Sequence, residues 1–189
     1  MNNMIHNARM QKWICEKREE QFANIVRLPD IDAHVAIPTW EFNVMFQQAH
    51  IYGHVLQSGI GLRHIVDYYY LLKSNVSYKR EDFTLVLRHL GLDKIACAVM
   101  WVLHEVLGLK EEFLIASMDE KRGRALWDEI RSGGNFGYYD EKNCIAQSPL
   151  QRNIQRIKRD LCMARYFPPE CLLEPVFRLY HWMWRMKYN

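Results

Sequence analysis

The sequence contains neither closely spaced cysteines nor a long apolar run. Its five cysteines, at positions 15, 97, 144, 162 and 171, are too widely separated to form the Cys-x-x-Cys motifs of zinc sites and redox proteins. This scatter favours reduced thiols in a cytoplasmic protein. No apolar run reaches the roughly 20 residues that a membrane-spanning helix needs, and the N-terminal residues lack a basic region followed by an apolar one. We therefore expect neither secretion nor a transmembrane segment.

Several catalytic and recognition motifs are missing as well. The residues between His50 and His54 are Ile-Tyr-Gly, so the glutamate of the His-Glu-x-x-His metalloprotease motif is absent. The glycine-rich segment Gly133–Gly137 follows a predicted helix and has no Walker lysine, which argues against a phosphate-binding loop. The sequence has no repeat of fixed period and no module that stacks single-stranded bases. A solenoid and a specific nucleic-acid partner are both disfavoured.

The residues that are present predict a mainly α, bundle-like fold in a single domain spanning residues 1–189. Hydrophobic residues make up 49% of the chain and aromatic residues 13%, which is typical of a folded protein. Apolar residues recur at spacings of three and four along most of the sequence. The predicted helices are 8–21, 40–57, 61–73, 78–91, 93–107, 119–132, 148–167 and 175–188, with Thr39 as an N-cap and Gly91 and Gly108 as C-terminal stops.

Residues 24–37 have a different pattern, which predicts a β-hairpin. Two short β-branched runs, 24–28 and 33–37, are separated by the turn-forming residues Pro29–Asp32. Because two strands alone are marginally stable in water, the hairpin either lies on the helices or belongs to a sheet whose other strands are elsewhere.

The glycine-marked break Ser58–Gly61 lies between two pairs of polar residues. His50 and His54 are four residues apart and share a helix face, where they either ligate a metal or form hydrogen bonds inside the protein. No third ligand is assigned, so we predict no metal. After the break, Arg63 and Asp67 either form an intrahelical ion pair or place Asp67 to orient a histidine of the preceding helix. These four residues are the candidate polar cluster; no catalytic residue is assigned.

The C-terminal helices, 148–189, are basic and rich in aromatic residues. From residue 142 onward the chain has nine Lys and Arg against three acidic residues, a local charge of +6, although the whole chain carries only +3. Arg152, Arg156 and Arg159 share one helix face, which is either a solvated surface or a candidate anion-binding face. The aromatic stripe that follows either packs in the core or lies at a membrane surface; its members are Phe177, Tyr180, Trp184 and Tyr188.

Several segments together resemble the uncharacterised nucleotidyltransferase family of bacterial polysaccharide gene clusters. The resemblance covers nearly the whole chain. It rests on segments 6–13, Pro38–Asn43, Ala49–His54, Gly59–Asp67, Gly133–Gly137 and His181–Arg185. Such enzymes hold nucleotide and magnesium through a Gly-Ser or Gly-Gly turn followed by an Asp-x-Asp pair on a strand. Here the only Asp-x-Asp is Asp30–Asp32, in the predicted hairpin turn and without an upstream glycine.

The resemblance therefore implies the C-terminal helical portion of such an enzyme, without its catalytic domain. We expect this chain not to be catalytic on its own. Magnesium and nucleotide would bind only if a catalytic nucleotidyltransferase domain were supplied as a partner, because two-metal phosphoryl transfer needs clustered carboxylates. The alternative is a non-enzymatic interaction protein that binds another chain through the hairpin edge or the basic C-terminal face. A third hypothesis is a metal-dependent hydrolase that uses His50, His54 and Asp67.

Overall fold

In the part of the chain that the structure describes, six α-helices and one β-hairpin are the main elements, which confirms the predicted mainly α fold class. The computed structural model describes residues 4–29, 33–57, 59–75, 78, 80–133, 164–167, 183 and 186. The helices are α1 (Met4–Ala23), α2 (Trp40–Gln57), α3 (Leu62–Lys73), α4 (Arg80–Leu90), α5 (Asp93–Trp101) and α6 (Glu120–Gly133). Within these described ranges, no helix combines the length and apolar character needed to cross a membrane.

The predicted hairpin is present between α1 and α2. Strand β1 (Ile25–Arg27) pairs antiparallel with β2 (His34–Ala36), and Val26 lies opposite Val35. The hairpin is closed at its base by Asn24, whose backbone oxygen accepts from the Ile37 amide at 3.0 Å and whose side chain donates to the Ile37 carbonyl at 2.9 Å. Helix α1 contacts β2, so the hairpin lies at least partly on the helices.

Helix α2 begins at the predicted cap and contributes much of the core. The hydroxyl of Thr39 accepts a hydrogen bond from the Phe42 amide at 3.3 Å, which satisfies one of the unpaired donors of the first turn. The helix packs against α3. Its buried apolar side chains are Val44, Met45, Ala49, Ile51, Tyr52, Val55 and Leu56. Gln48 is also fully buried, and the described residues offer no hydrogen-bond partner to its side chain.

The buried face of α3 differs in part from the one that helical spacing predicts, which consists of Leu62, Ile65, Val66, Tyr69 and Leu72. Leu62 is 42% exposed, whereas Tyr68 is fully buried. Burial raises the pKa of Tyr68 well above its ordinary value, and its hydroxyl has no hydrogen-bond partner among the described residues. The core face is therefore formed by Ile65, Tyr68 and Leu72, at spacings of three and four.

Helix α4 ends at the predicted Gly91, whereas α5 ends at Trp101, before the predicted stop at Gly108. Gly91 has φ 70°, and beyond it the Leu92 amide donates to the Leu87 carbonyl at 2.8 Å, the six-residue closure of a Schellman motif. After α5 the chain continues as a π-helical turn, Val102–Val106, which the sequence pattern does not predict. A short 3₁₀ turn, Glu111–Phe113, then leads towards α6.

Helix α6 is held closely against the end of α5. Asp119 caps α6 through the Arg122 amide at 2.9 Å and also forms an ion pair with the Arg122 side chain. Arg122 in turn donates from Nε to the Tyr166 carbonyl at 3.1 Å, which links α6 to the short described segment 164–167. Gly123 faces Trp101, and a Cβ atom at this glycine would lie 2.5 Å from the Trp101 ring. Backbone and indole are therefore in direct contact.

Some predictions fall on residues that the structure does not describe. Most of the segment 134–189 is among them, including the basic helix with Arg152, Arg156 and Arg159 and most of the final aromatic stretch. The Asp30–Asp32 turn also lies outside the described residues.

Candidate functional site

Three histidines meet where α2 passes into α3. His50 and His54 lie one turn apart near the end of α2, and His64 lies in the first turn of α3. Gly59 connects the two helices with φ 82°, a conformation that residues with a Cβ rarely adopt. The reversal at this glycine brings the start of α3 back beside the end of α2. We call His50, His54 and His64 the histidine cluster.

The ring nitrogens of the histidine cluster converge. Nε2 of His50 and Nε2 of His54 are 3.1 Å apart, so one neutral imidazole donates to the other. The ring of His64 is centred 4.6 Å from that of His54 and 5.7 Å from that of His50. One ring nitrogen from each histidine lies within 4.8 Å of the other two. Among the described residues, this is the only such group of three or more potential metal ligands.

The cluster environment disfavours protonated imidazoles. Partial burial, followed by repulsion from a protonated His64, lowers the pKa of His50 below 6.5. The same desolvation lowers the pKa of His54, with smaller contributions from the charges of His50 and His64. The neutral form of both rings therefore predominates at pH 7, and a neutral imidazole nitrogen is the form that binds metals.

Arg63 and Asp67 form the ion pair that was one of the two interpretations of their spacing. Nε of Arg63 is 3.9 Å from Oδ2 of Asp67, and the two side chains are 88% and 59% exposed. Such an exposed pair contributes little to stability. The structure thus joins the four predicted residues as two pairs, His50 with His54 and Arg63 with Asp67. The carboxylate of Asp67 is not one of the ligand atoms that converge in the histidine cluster.

His64 is the member of the site that sequence reasoning missed. It follows Arg63 directly and has no histidine three or four residues away within its own helix. Its proximity to His54 depends on the reversal at Gly59 rather than on helical spacing. The signal that could have identified it is a third histidine within one turn of a glycine break that follows a His-x-x-x-His pair.

The other predicted site, the anion-binding face of Arg152, Arg156 and Arg159, lies outside the described residues. Most of the glycine-rich segment lies there too; only Gly133, the last residue of α6, is described. Comparison of the chain with protein-family models, with curated proteins and with solved structures finds no match.

Proposed function

We propose that this chain is the helical accessory portion of a nucleotidyltransferase-like protein of polysaccharide biosynthesis and is not catalytic on its own. The sequence resemblance motivates the proposal. The structural observation that supports it most is the hairpin between α1 and α2. In the described residues the hairpin is a sheet of only two strands, so each strand is an edge strand. Edge strands are templates for pairing with a further strand.

The hydrogen-bonding pattern indicates which backbone groups are available for pairing. The Leu28 amide donates to the Ala33 carbonyl and the Ile37 amide donates to the Asn24 carbonyl, so these residues face inward across the hairpin. In an antiparallel ladder the inward-facing residues alternate with outward-facing ones. The backbone groups of Ile25 on β1 therefore point away from the hairpin, as an added strand requires.

The side chains of the hairpin are unusually apolar for a surface element. Ile25 is 59% exposed, Val35 41% and Ile37 40%, and Phe22 at the end of α1 is 64% exposed. Ile25 pairs with Ala36 and Val35 pairs with Val26, so Ile25 and Val35 lie on opposite faces of the hairpin. Exposed apolar groups on such a sheet are typical of a surface that other protein elements cover. A catalytic sheet that continues from the hairpin, with the elements packed on its faces, would cover these groups.

The site chemistry is also consistent with a catalytic centre supplied by another domain. Phosphoryl transfer by two metal ions uses carboxylate ligands. The only converging group of three potential ligands among the described residues consists of histidines. We therefore expect the purified chain, given Mg²⁺ and a nucleoside triphosphate, to transfer no nucleotidyl group to an acceptor. Measured transfer by the chain alone would refute the accessory role.

Binding to a catalytic partner is tested at the hairpin. The partner to test is a nucleotidyltransferase domain with the Gly-Ser and Asp-x-Asp elements; finding one encoded immediately upstream of this chain would favour the accessory role. We expect Ile25→Lys to weaken binding by about tenfold or more, because it places a charge where apolar surface would be buried. Leu85→Lys on α4 is the matched control, since Leu85 is 69% exposed and lies outside the hairpin. Equal affinities of the two variants would contradict pairing at the hairpin.

The alternative, a non-enzymatic interaction protein, shares the same hairpin observation but predicts a different partner. If no such catalytic domain is encoded upstream, and the hairpin variant instead loses binding to a protein without nucleotidyltransferase motifs, the interaction-protein hypothesis replaces the accessory one.

A further inference from the structure

We propose that His50, His54 and His64 form a binding site for a divalent transition metal ion of the zinc class, with one coordination position open to water or another oxygen ligand. This inference is independent of the accessory role, because nucleotidyl transfer uses magnesium held by carboxylates, not by imidazoles. It departs from the prediction of no metal made from the sequence, and it differs from the hydrolase hypothesis, which used Asp67 beside His50 and His54.

The spacing of the ring nitrogens matches a shared metal ion. Two nitrogens bound at about 2.05 Å to one tetrahedral Zn²⁺ lie about 3.3 Å apart. The Nε2 atoms of His50 and His54 are 3.1 Å apart, so this pair is already at the separation that zinc requires. The ligand nitrogen of His64 lies within 4.8 Å of both. A side-chain movement of about 1.5 Å or less would complete a three-nitrogen face.

The backbone positions are fixed by packing. His50 and His54 belong to one helix, whose neighbouring side chains Ile51 and Val55 are fully buried against the core. His64 precedes the fully buried Ile65 on α3. Because α2 and α3 pack directly against each other, the third histidine approaches the first two from a rigid element. A metal ion would therefore bind without rearrangement of the helices.

The ligand set selects the class of metal. Neutral imidazoles suit Zn²⁺, Co²⁺, Ni²⁺ and Cu²⁺, whereas Mg²⁺ and Ca²⁺ prefer oxygen ligands. Three protein ligands with a fourth position for water is the arrangement of zinc sites that act on substrates, since structural zinc sites are closed by four protein ligands. His50 is exposed, so the open position is accessible from solvent.

The test is a titration of the full chain, purified without a histidine tag, with Zn²⁺ by calorimetry and with Co²⁺ by visible absorption. His50→Gln and His64→Gln remove one ligand each, and folding is verified by circular dichroism. His50 is exposed, so its variant retains the fold. His89→Gln is the matched control, because His89 is an exposed histidine on α4 outside the cluster.

We expect the wild-type chain to bind one Zn²⁺. Each cluster variant should weaken binding by at least about 100-fold, since loss of a group outside the ligand shell alone costs about 10–100-fold in affinity. His89→Gln should bind as wild type does. Wild-type affinity in His64→Gln would reduce the site to a simple His-x-x-x-His pair and overturn the proposal. A Co²⁺ spectrum with thiolate charge transfer that persists in both cluster variants would assign the metal to cysteines and overturn it as well.

Discussion

Replacement of Gly123 by alanine tests the close contact between α5 and α6. Alanine is favoured over glycine inside a helix by about 1 kcal/mol, so propensity alone predicts that Gly123→Ala stabilises the protein. The packing predicts the reverse, because a Cβ atom at residue 123 would lie 2.5 Å from ring atoms of Trp101 and 2.6 Å from its Cβ. The contact with the Trp101 Cβ atom determines the expected sign of the effect, since a Cβ atom cannot move away by side-chain rotation.

The magnitude follows from these opposing effects. Overpacking a tight contact costs about 1–3 kcal/mol, and here the overlap includes the backbone-anchored part of Trp101, which favours the upper end. After the helix-propensity gain of about 1 kcal/mol is subtracted, we expect Gly123→Ala to reduce the free energy of unfolding by about 2 kcal/mol. Gly53 in α2 is the matched control, because a Cβ atom there meets nothing within 4 Å. Gly53→Ala should raise the same free energy by up to about 1 kcal/mol.

Urea denaturation followed by tryptophan fluorescence measures both variants. The same substitution is expected to move the midpoint in opposite directions at the two sites. Equal and stabilising effects would refute the close contact between α5 and α6. A double variant with Trp101→Leu should recover only the part of the loss in Gly123→Ala that comes from the indole ring, because leucine removes the ring but keeps the Cβ atom.

Two further predictions concern the candidate site. Because His50 and His54 have pKa values below 6.5 in the folded chain, the unfolded chain takes up more protons as pH falls through 6.5. The free energy of unfolding should therefore decrease from about pH 7 to pH 5, more steeply in wild type than in His50→Gln; identical slopes in denaturant titrations would contradict the assignment. Asp67→Asn should change the free energy of unfolding by less than about 1 kcal/mol, because the ion pair of Asp67 with Arg63 is exposed. The same variant should bind zinc as tightly as wild type in the calorimetric titration. A loss of zinc affinity would instead support the hypothesis that Asp67 orients a histidine.

The helices were predictable where a repeated local signal marks them. Thr39 precedes an apolar run, and its hydroxyl caps the helix that begins at the next residue. Gly91 follows an apolar run and adopts the positive φ that ends a helix. Both effects act within a few residues of the chain. The π-helical turn Val102–Val106 has no such signal. It differs from an α-helix only in backbone hydrogen bonds such as that from the Leu107 amide to the Val102 carbonyl, while side-chain periodicity hardly changes over so short a segment.

Local sequence patterns also predicted two of the three histidines of the candidate site but not the third. His50 and His54 are neighbours because a helix places residues four apart on one face, which is a local rule. His64 joins them only because the chain reverses at Gly59 and α3 packs against α2, which is tertiary information. On α3, helical periodicity admits either Leu62 or Tyr68 to the buried face, and the neighbouring helices select Tyr68. Local patterns thus identified the elements, and packing determined which side chains meet.

The central claim is that His50, His54 and His64, where α2 and α3 meet, bind one metal ion. X-ray absorption at the zinc edge of the zinc-loaded protein tests this claim most directly. The spectrum reports the number and type of atoms bound to the metal. We predict three imidazole nitrogens at about 2.0 Å together with one further light atom from water. Sulfur ligands, or fewer than three imidazoles, would contradict a metal site built from His50, His54 and His64.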